Sequence, residues 1–442
     1  MYKQILNNNF FINTYRRNKI SIESSSIKVL NLLVNFILNF FIINNLGLSG
    51  AGLIFTCLNL NLILLVLGNL GFQRSVVKFI SQLLTNNDFG KINQLIDFSM
   101  NLTIIISCAL SFIFLLLTPI LNKFVFQGFS FDLVLILFLL SLPFSLINHT
   151  NTYIIQGLGY PVFAIVFNIL LIPALWLLFL YIIPISSPVY YAIAYLCVSI
   201  FVLILSRKLR INIWKSKIGN QFDNLKNKFI FQRRSFINLS FKTWQVTVLS
   251  VFTARVSELL VGVFGTPSDV TIFSTSYKLS MVLLVTLIGA NQSIANSVAA
   301  LHKQKKINSI KNISNETTKF MLLFSLPLFI FMILKPEFLL GLFSEELTGS
   351  GNILRFLAIA NMSKLILGAN ETILSMCGYE KFLFKAFLFT FLISLALNLV
   401  LLPKIGIIGA ASSVLIANVL NEIILKIKVD SFIKNESNNI LS

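Results

Sequence analysis

Acidic side chains are scarce in this chain. Sixteen Asp and Glu stand against 35 Lys and Arg in 442 residues, and charged residues of both signs make up only 12%. A soluble globular domain carries about 25% charged residues, so that class is excluded. Histidine is scarcer still, since His149 and His302 are the only two and neither has Cys or carboxylate neighbours at metal-ligand spacing. No metal centre is therefore expected. Cys57, Cys108, Cys197 and Cys377 sit singly inside apolar runs, which excludes a disulfide framework and a dithiol redox motif. There is no GxxxxGK[ST] loop and no catalytic arrangement, so the chain is read as a non-enzyme without a cofactor. The basic residues are too dispersed among apolar stretches to form a nucleic-acid surface.

What fills the chain instead is apolar. Hydrophobic residues make up 56%, and the mean hydropathy is +0.85. Positions 29–73 and 133–206 contain no Lys, Arg, Asp or Glu at all. A hydrocarbon core of about 30 Å takes roughly 20 helical residues per crossing, so these intervals hold two and three passes. Helices satisfy their own backbone groups where lipid offers no partner, and runs this long do not fit the roughly ten-residue strands of a barrel. The pattern predicts twelve transmembrane helices, at 28–46, 51–73, 98–120, 132–150, 161–183, 188–206, 240–264, 270–298, 318–334, 350–376, 384–402 and 406–426. The segment Met1–Lys28 is polar and basic, lacks the apolar core of a signal peptide, and is expected to be retained.

The two halves repeat each other at a step of about 218 residues. Gly47, Phe55, Gly71 and Ser75 recur as Gly265, Phe273, Gly289 and Ser293, and Asn151, Gly159, Tyr160 and Pro184 recur as Asn370, Gly378, Tyr379 and Pro403. The expected domains are an N-terminal lobe at 1–206, a basic linker at 207–239 and a C-terminal lobe at 240–442. Six passes per half preserve orientation, so the repeats are expected to be parallel, with a path between them. Lysines and arginines cluster before the first pass, after the second and in the central connection, which places both termini in the cytoplasm by the positive-inside rule. Lys91-Ile92-Asn93 and Lys306-Ile307-Asn308 echo each other and are expected on short amphipathic helices at the membrane surface.

A charge inside the bilayer is costly unless it faces a polar cavity or a partner. Arg255 and Lys278 lie at similar distances on either side of the turn Gly265-Thr266-Pro267, which puts them at similar depth. Glu258 shares a helix face with Arg255. The first repeat has Ile37, Leu60 and Phe40 at the corresponding positions, so the shared architecture does not require these charges. Two readings stand: a buried ion cluster with no ligand role, or a cationic cavity for an anionic substrate such as phosphate. Asn31, Asn35 and Asn39 recur every four residues and make one polar stripe, which suits either a sugar-sized cavity or interhelical hydrogen bonding. Lys242, Lys364, Glu371 and Arg74 are secondary substrate-binding candidates, with snorkelling or anchoring as the alternative.

With twelve predicted helices in two lobes, the chain resembles the Wzx-type polysaccharide flippases of the multidrug/oligosaccharidyl-lipid/polysaccharide exporter superfamily. The residues that carry the resemblance are Leu46-Gly47-Leu48-Ser49-Gly50-Ala51-Gly52, Gln156-Gly157-Leu158-Gly159-Tyr160-Pro161, Gly378-Tyr379-Glu380-Lys381 and the run from Leu402 to Ala411. It implies an all-α integral membrane protein of MATE-like fold that translocates undecaprenyl-pyrophosphate-linked oligosaccharide across a bacterial inner membrane by alternating access. Arg255 and Lys278 would then bind phosphate or an acidic sugar, and the asparagine stripe would contact hydroxyls. Lipid-linked oligosaccharide, membrane lipids and a polysaccharide polymerase or chain-length regulator are the implied partners. A multidrug exporter of the same fold, driven by Na⁺ or H⁺, is the alternative.

Overall fold

The structure is a computed structural model and describes residues 2–125, 132–183, 185–218, 233–304 and 306–441. Among these the chain is helical throughout, without strands: α1 (Tyr2–Gly68), α2 (Phe72–Thr85), α3 (Phe89–Leu116), α4 (Thr118–Val125), α5 (Asp132–Gly157), α6 (Pro161–Ile182), α7 (Pro188–Ile218), α8 (Arg233–Phe264), α9 (Pro267–Ser280), α10 (Val285–Lys303), α11 (Ile307–Leu334), α12 (Pro336–Gly341), α13 (Gly351–Leu367), α14 (Asn370–Met376), α15 (Glu380–Ile405) and α16 (Ile407–Leu441). Ten described helices are long and apolar enough to cross a bilayer, or eleven if the pair Glu345–Leu367 and Asn370–Met376, bent by 47°, is one span. The first of them is broken at Gly47, whose φ of 68° and ψ of 179° lie outside the helical region. Asn39 and Phe55, equally far from that break in sequence, both touch Lys278, so the two arms of α1 fold back beside one another.

Several expected boundaries move. The arm expected to run to residue 73 ends at Gly68, because Leu70 (φ 49°) and Gly71 (φ 73°) make a left-handed turn before α2. The helix expected over 270–298 is interrupted by a 3-10 turn at Met281–Leu284. Lys91-Ile92-Asn93 and Lys306-Ile307-Asn308 are not on separate surface helices but at the starts of the long helices α3 and α11. The central connection continues as helix to Ile218 and again from Arg233, while residues 219–232, including Lys226 and Lys228, lie outside the described residues, as does Pro184.

One part of the internal repeat is also conformational. Gly159 and Gly378 both take left-handed φ, at 99° and 85°. In each case the next residue's N–H closes on the carbonyl five residues back, Tyr160 on Ile155 at 3.2 Å and Tyr379 on Leu374 at 2.9 Å. A new helix then starts at Pro161 or Glu380. The other set diverges, since Gly71 makes a left-handed turn whereas Gly289 lies inside α10.

The largest apolar core draws on both halves, joining Phe55, Phe138 and Trp176 to Phe273, Leu354 and Ala410. Large apolar side chains such as Leu33, Phe112, Leu116, Tyr181, Leu323 and Phe324 point outward, as a lipid solvent permits. At one end of the interface between halves, a Cβ on Gly52 would sit 1.8 Å from the Pro267 carbonyl oxygen, and Thr271 donates to the Leu48 carbonyl at 2.6 Å. At the other end, a Cβ on Gly71 would meet the Ser240 carbonyl oxygen at 2.2 Å. There Ser240 donates to Ser75 at 2.7 Å, Thr243 to the Gly71 carbonyl at 3.2 Å and Trp244 to the Leu67 carbonyl at 3.0 Å. Small residues thus let backbones of the two halves touch at both ends, leaving a cavity between them.

Candidate functional site

Between these two contact zones lies a cavity of about 420 Å³ lined by residues of both halves. Arg255 and Lys278 enter it from α8 and α9, and Asn31, Asn35 and Asn39 from α1. Lys278 Nζ donates to Asn39 Oδ1 at 2.9 Å and rests 3.7 Å from the centroid of the Phe55 ring. No carboxylate pairs with it among the described residues. Arg255 donates to Glu258 Oε2 at 2.9 Å and to Asn59 Oδ1 at 3.5 Å, and its guanidinium lies 5.5 Å from the Tyr277 ring centroid. Glu258 is 2% exposed, accepts a second hydrogen bond from Ser274, and does not line the cavity. It sits behind Arg255 as a counter-charge. One ion pair plus one further ammonium leave the site with a single positive charge.

The rest of the lining is neutral and aromatic. Asn61, Asn168, Trp176 and Tyr195 belong to it, all from the first half. Trp176 and Tyr195 lie edge to face with centroids 5.1 Å apart, and Trp176 Nε1 is held by the Tyr191 carbonyl at 3.1 Å. Among the described residues, the lining atoms Asn61 Oδ1, Asn168 Oδ1 and Thr275 Oγ1 are buried without a hydrogen-bond partner. Such atoms are costly in a low-dielectric interior and are commonly completed by a ligand or water. Asn168 owes its position to a π-helical segment, Val166–Leu170, a distortion often found at functional sites. The 3-10 turn Met281–Leu284 lies just beyond Lys278, so both the cationic and the neutral part of the lining include irregular helix.

The asparagine stripe is partly self-satisfied. Asn35 Nδ2 bonds the Asn31 carbonyl and side-chain oxygens at 2.8 and 2.9 Å, whereas Asn39 is committed to Lys278. The remaining candidates lie elsewhere. Lys242 lines a separate groove at the start of α8. Lys364 acts electrostatically on Glu371 and on the buried Glu422, and Arg74 acts on Glu371. None of these four lines the central cavity. Glu422, Asn59, Asn61 and Asn168 were not singled out from the sequence. Their only signal there is polarity within an apolar run, which many interhelical contacts share.

The fold that builds this cavity is that of the MATE transporters. The MatE family model matches residues 246–400. An inward-facing multidrug resistance MATE family transporter of the MOP superfamily superposes with a TM-score of 0.73 at 13% identity, covering 95% of this chain and 99% of that one. An outward-facing structure described in the same terms gives 0.67 at 14%, covering 95% and 96%. A MOP superfamily transporter from Pyrococcus furiosus, reported with reverse polarity of its binding pocket, gives 0.59 at 13%, again covering 95% and 96%. In sequence, the chain is 23% identical over 220 residues to a probable low-salt glycan biosynthesis flippase, Agl15, of Haloferax volcanii. That match spans 48% of this chain and less than half, 45%, of the relative.

Proposed function

We propose that this protein is a flippase that carries a lipid-diphosphate-linked oligosaccharide from the cytoplasmic to the outer leaflet of the cell's inner membrane. The observation that carries the reading is the division of one cavity lining into a cationic part, Arg255 and Lys278, and a neutral amide and aromatic part with unmatched polar atoms. Phosphate or an acidic sugar is drawn to the first, because a charge-assisted hydrogen bond in a low-dielectric site is stronger than a neutral one. Sugar hydroxyls complete the amides of the second, and ring faces pack on Trp176 and Tyr195. The similarity to a glycan flippase supports the same reading.

The lobes are proposed as 1–206 and 240–442, joined by the basic stretch 207–239, with both termini in the cytoplasm and access alternating between the two ends of the cavity. A polymerase or chain-length regulator would take the exported unit. The lead test is the leaflet distribution of lipid-linked oligosaccharide in cells with and without the protein. Cytoplasmic-face accumulation on deletion, reversed by restoring the gene, is the expected result. An unchanged distribution with increased sensitivity to cationic drugs would instead assign the chain to multidrug export.

A further inference from the structure

A second cavity, of about 790 Å³, lies between α2 of the first half and α8 of the second. Its rim carries Lys78, Arg233, Arg234 and Lys242, all exposed, and its lining contains no carboxylate. Three half-exposed cations elsewhere pair with carboxylates: Lys91 with Asp88, Lys426 with Asp430 and Arg355 with Glu337. None of the four in the groove has an acidic partner among the described residues, and only Arg233 has another contact, over the Phe98 ring at 5.5 Å. Like charges gathered without counter-charge repel one another, and an anion relieves that repulsion.

The groove also has a polar and an apolar part. Gln82 and Asn238 add donors beside the cations, while Phe79 and Leu239 supply apolar surface. It opens one helical turn beyond the Ser75–Ser240 hydrogen bond that joins the halves. Arginines offer a planar fork to phosphate oxygens and lysines a mobile point charge. We propose that this groove is a binding site for a phosphate-bearing anion, separate from the central cavity. The site stands whether or not the central cavity carries a glycan. Its ligand is either the headgroup of an anionic lipid or free phosphate, and the two sources are separable.

The test uses the full-length protein in neutral detergent and two probes: phosphatidylglycerol against phosphatidylcholine by native mass spectrometry, and labelled inorganic pyrophosphate by equilibrium binding. Arg233→Gln with Arg234→Gln, and Lys78→Gln with Lys242→Gln, remove groove charge at exposed positions where folding is insensitive. Lys91→Gln with Lys426→Gln removes the same charge from paired sites. We expect about a tenfold loss of retained phosphatidylglycerol in both groove variants and none in the control. Loss of pyrophosphate binding in the groove variants without any lipid preference would assign the site to free phosphate. If the groove variants and the control retain both probes equally, the site is overturned.

Discussion

Lys278 and Arg255 both bring positive charge to the central cavity, but they are bound into the protein differently. Arg255 is neutralised by Glu258, whereas Lys278 leans on an amide oxygen and an aromatic face and keeps its charge available. Lys278→Met is therefore expected to slow translocation at least about tenfold, as one charge-assisted hydrogen bond of about 1.5–3 kcal/mol is lost, with protein abundance unchanged. Lys278→Arg should keep most of the activity. Arg255→Ala is expected to abolish transport while the protein still inserts, but it also strands Glu258. Breaking one side of a buried pair costs about 3–5 kcal/mol, discounted here because Arg255 is 20% exposed. The paired change Arg255→Met with Glu258→Met separates the effects. It should restore the thermal transition in detergent and leave transport lost. Recovery of transport in that variant would reduce the pair to a structural cluster.

Among the elements, α5 shows how an irregular helix is completed by a neighbour. Pro143 lies inside it and has no N–H to offer the Leu139 carbonyl one turn earlier. Ser111 of α3 donates to that carbonyl at 2.8 Å. Ser111→Ala should cost about 1 kcal/mol, visible as a lower thermal transition with normal transport. The approach of α1 to α9 is tighter still, because no side chain fits between Gly52 and the Pro267 carbonyl oxygen. Gly52→Val is expected to force the helices apart and lower the thermal transition by more than Ser111→Ala does. Hydropathy placed the main spans, but it did not locate the turn at Gly71 or the 3-10 interruption after Ser280. Both depend on what packs against the backbone, and Gly71 is left-handed where Ser240 of the other half presses on it.

For the whole molecule, the proposed cycle requires the two zones of contact between halves to part in turn. Ser75 and Ser240 provide a direct test, since their hydroxyl oxygens are 2.7 Å apart. In a background lacking the four native cysteines, Ser75→Cys with Ser240→Cys should form a cross-link on oxidation. Cross-linking should stop transport, and reduction should restore it. Full activity of the cross-linked protein would mean that this end never opens. A reporter fused near Lys226 is expected in the cytoplasm, and an external signal there would invert the proposed topology.

The helical membrane class, the main spans and the anomaly of Arg255, Glu258 and Lys278 were legible in the sequence, because each follows from a local cost: an unsatisfied backbone in lipid, or a charge without water. The recurrence of Gly159 as Gly378 was legible too, but the left-handed turn at both is a finding of the structure. Packing brings Arg255 and Lys278 into one cavity with the asparagine stripe, sets Glu258 behind it, and puts Lys364, Glu371 and Arg74 elsewhere. It also decides which neutral polar residues face the cavity. An asparagine costs about the same in any apolar helix until packing sets its neighbour, so Asn61 and Asn168 read in sequence like the asparagines that bond within or between helices.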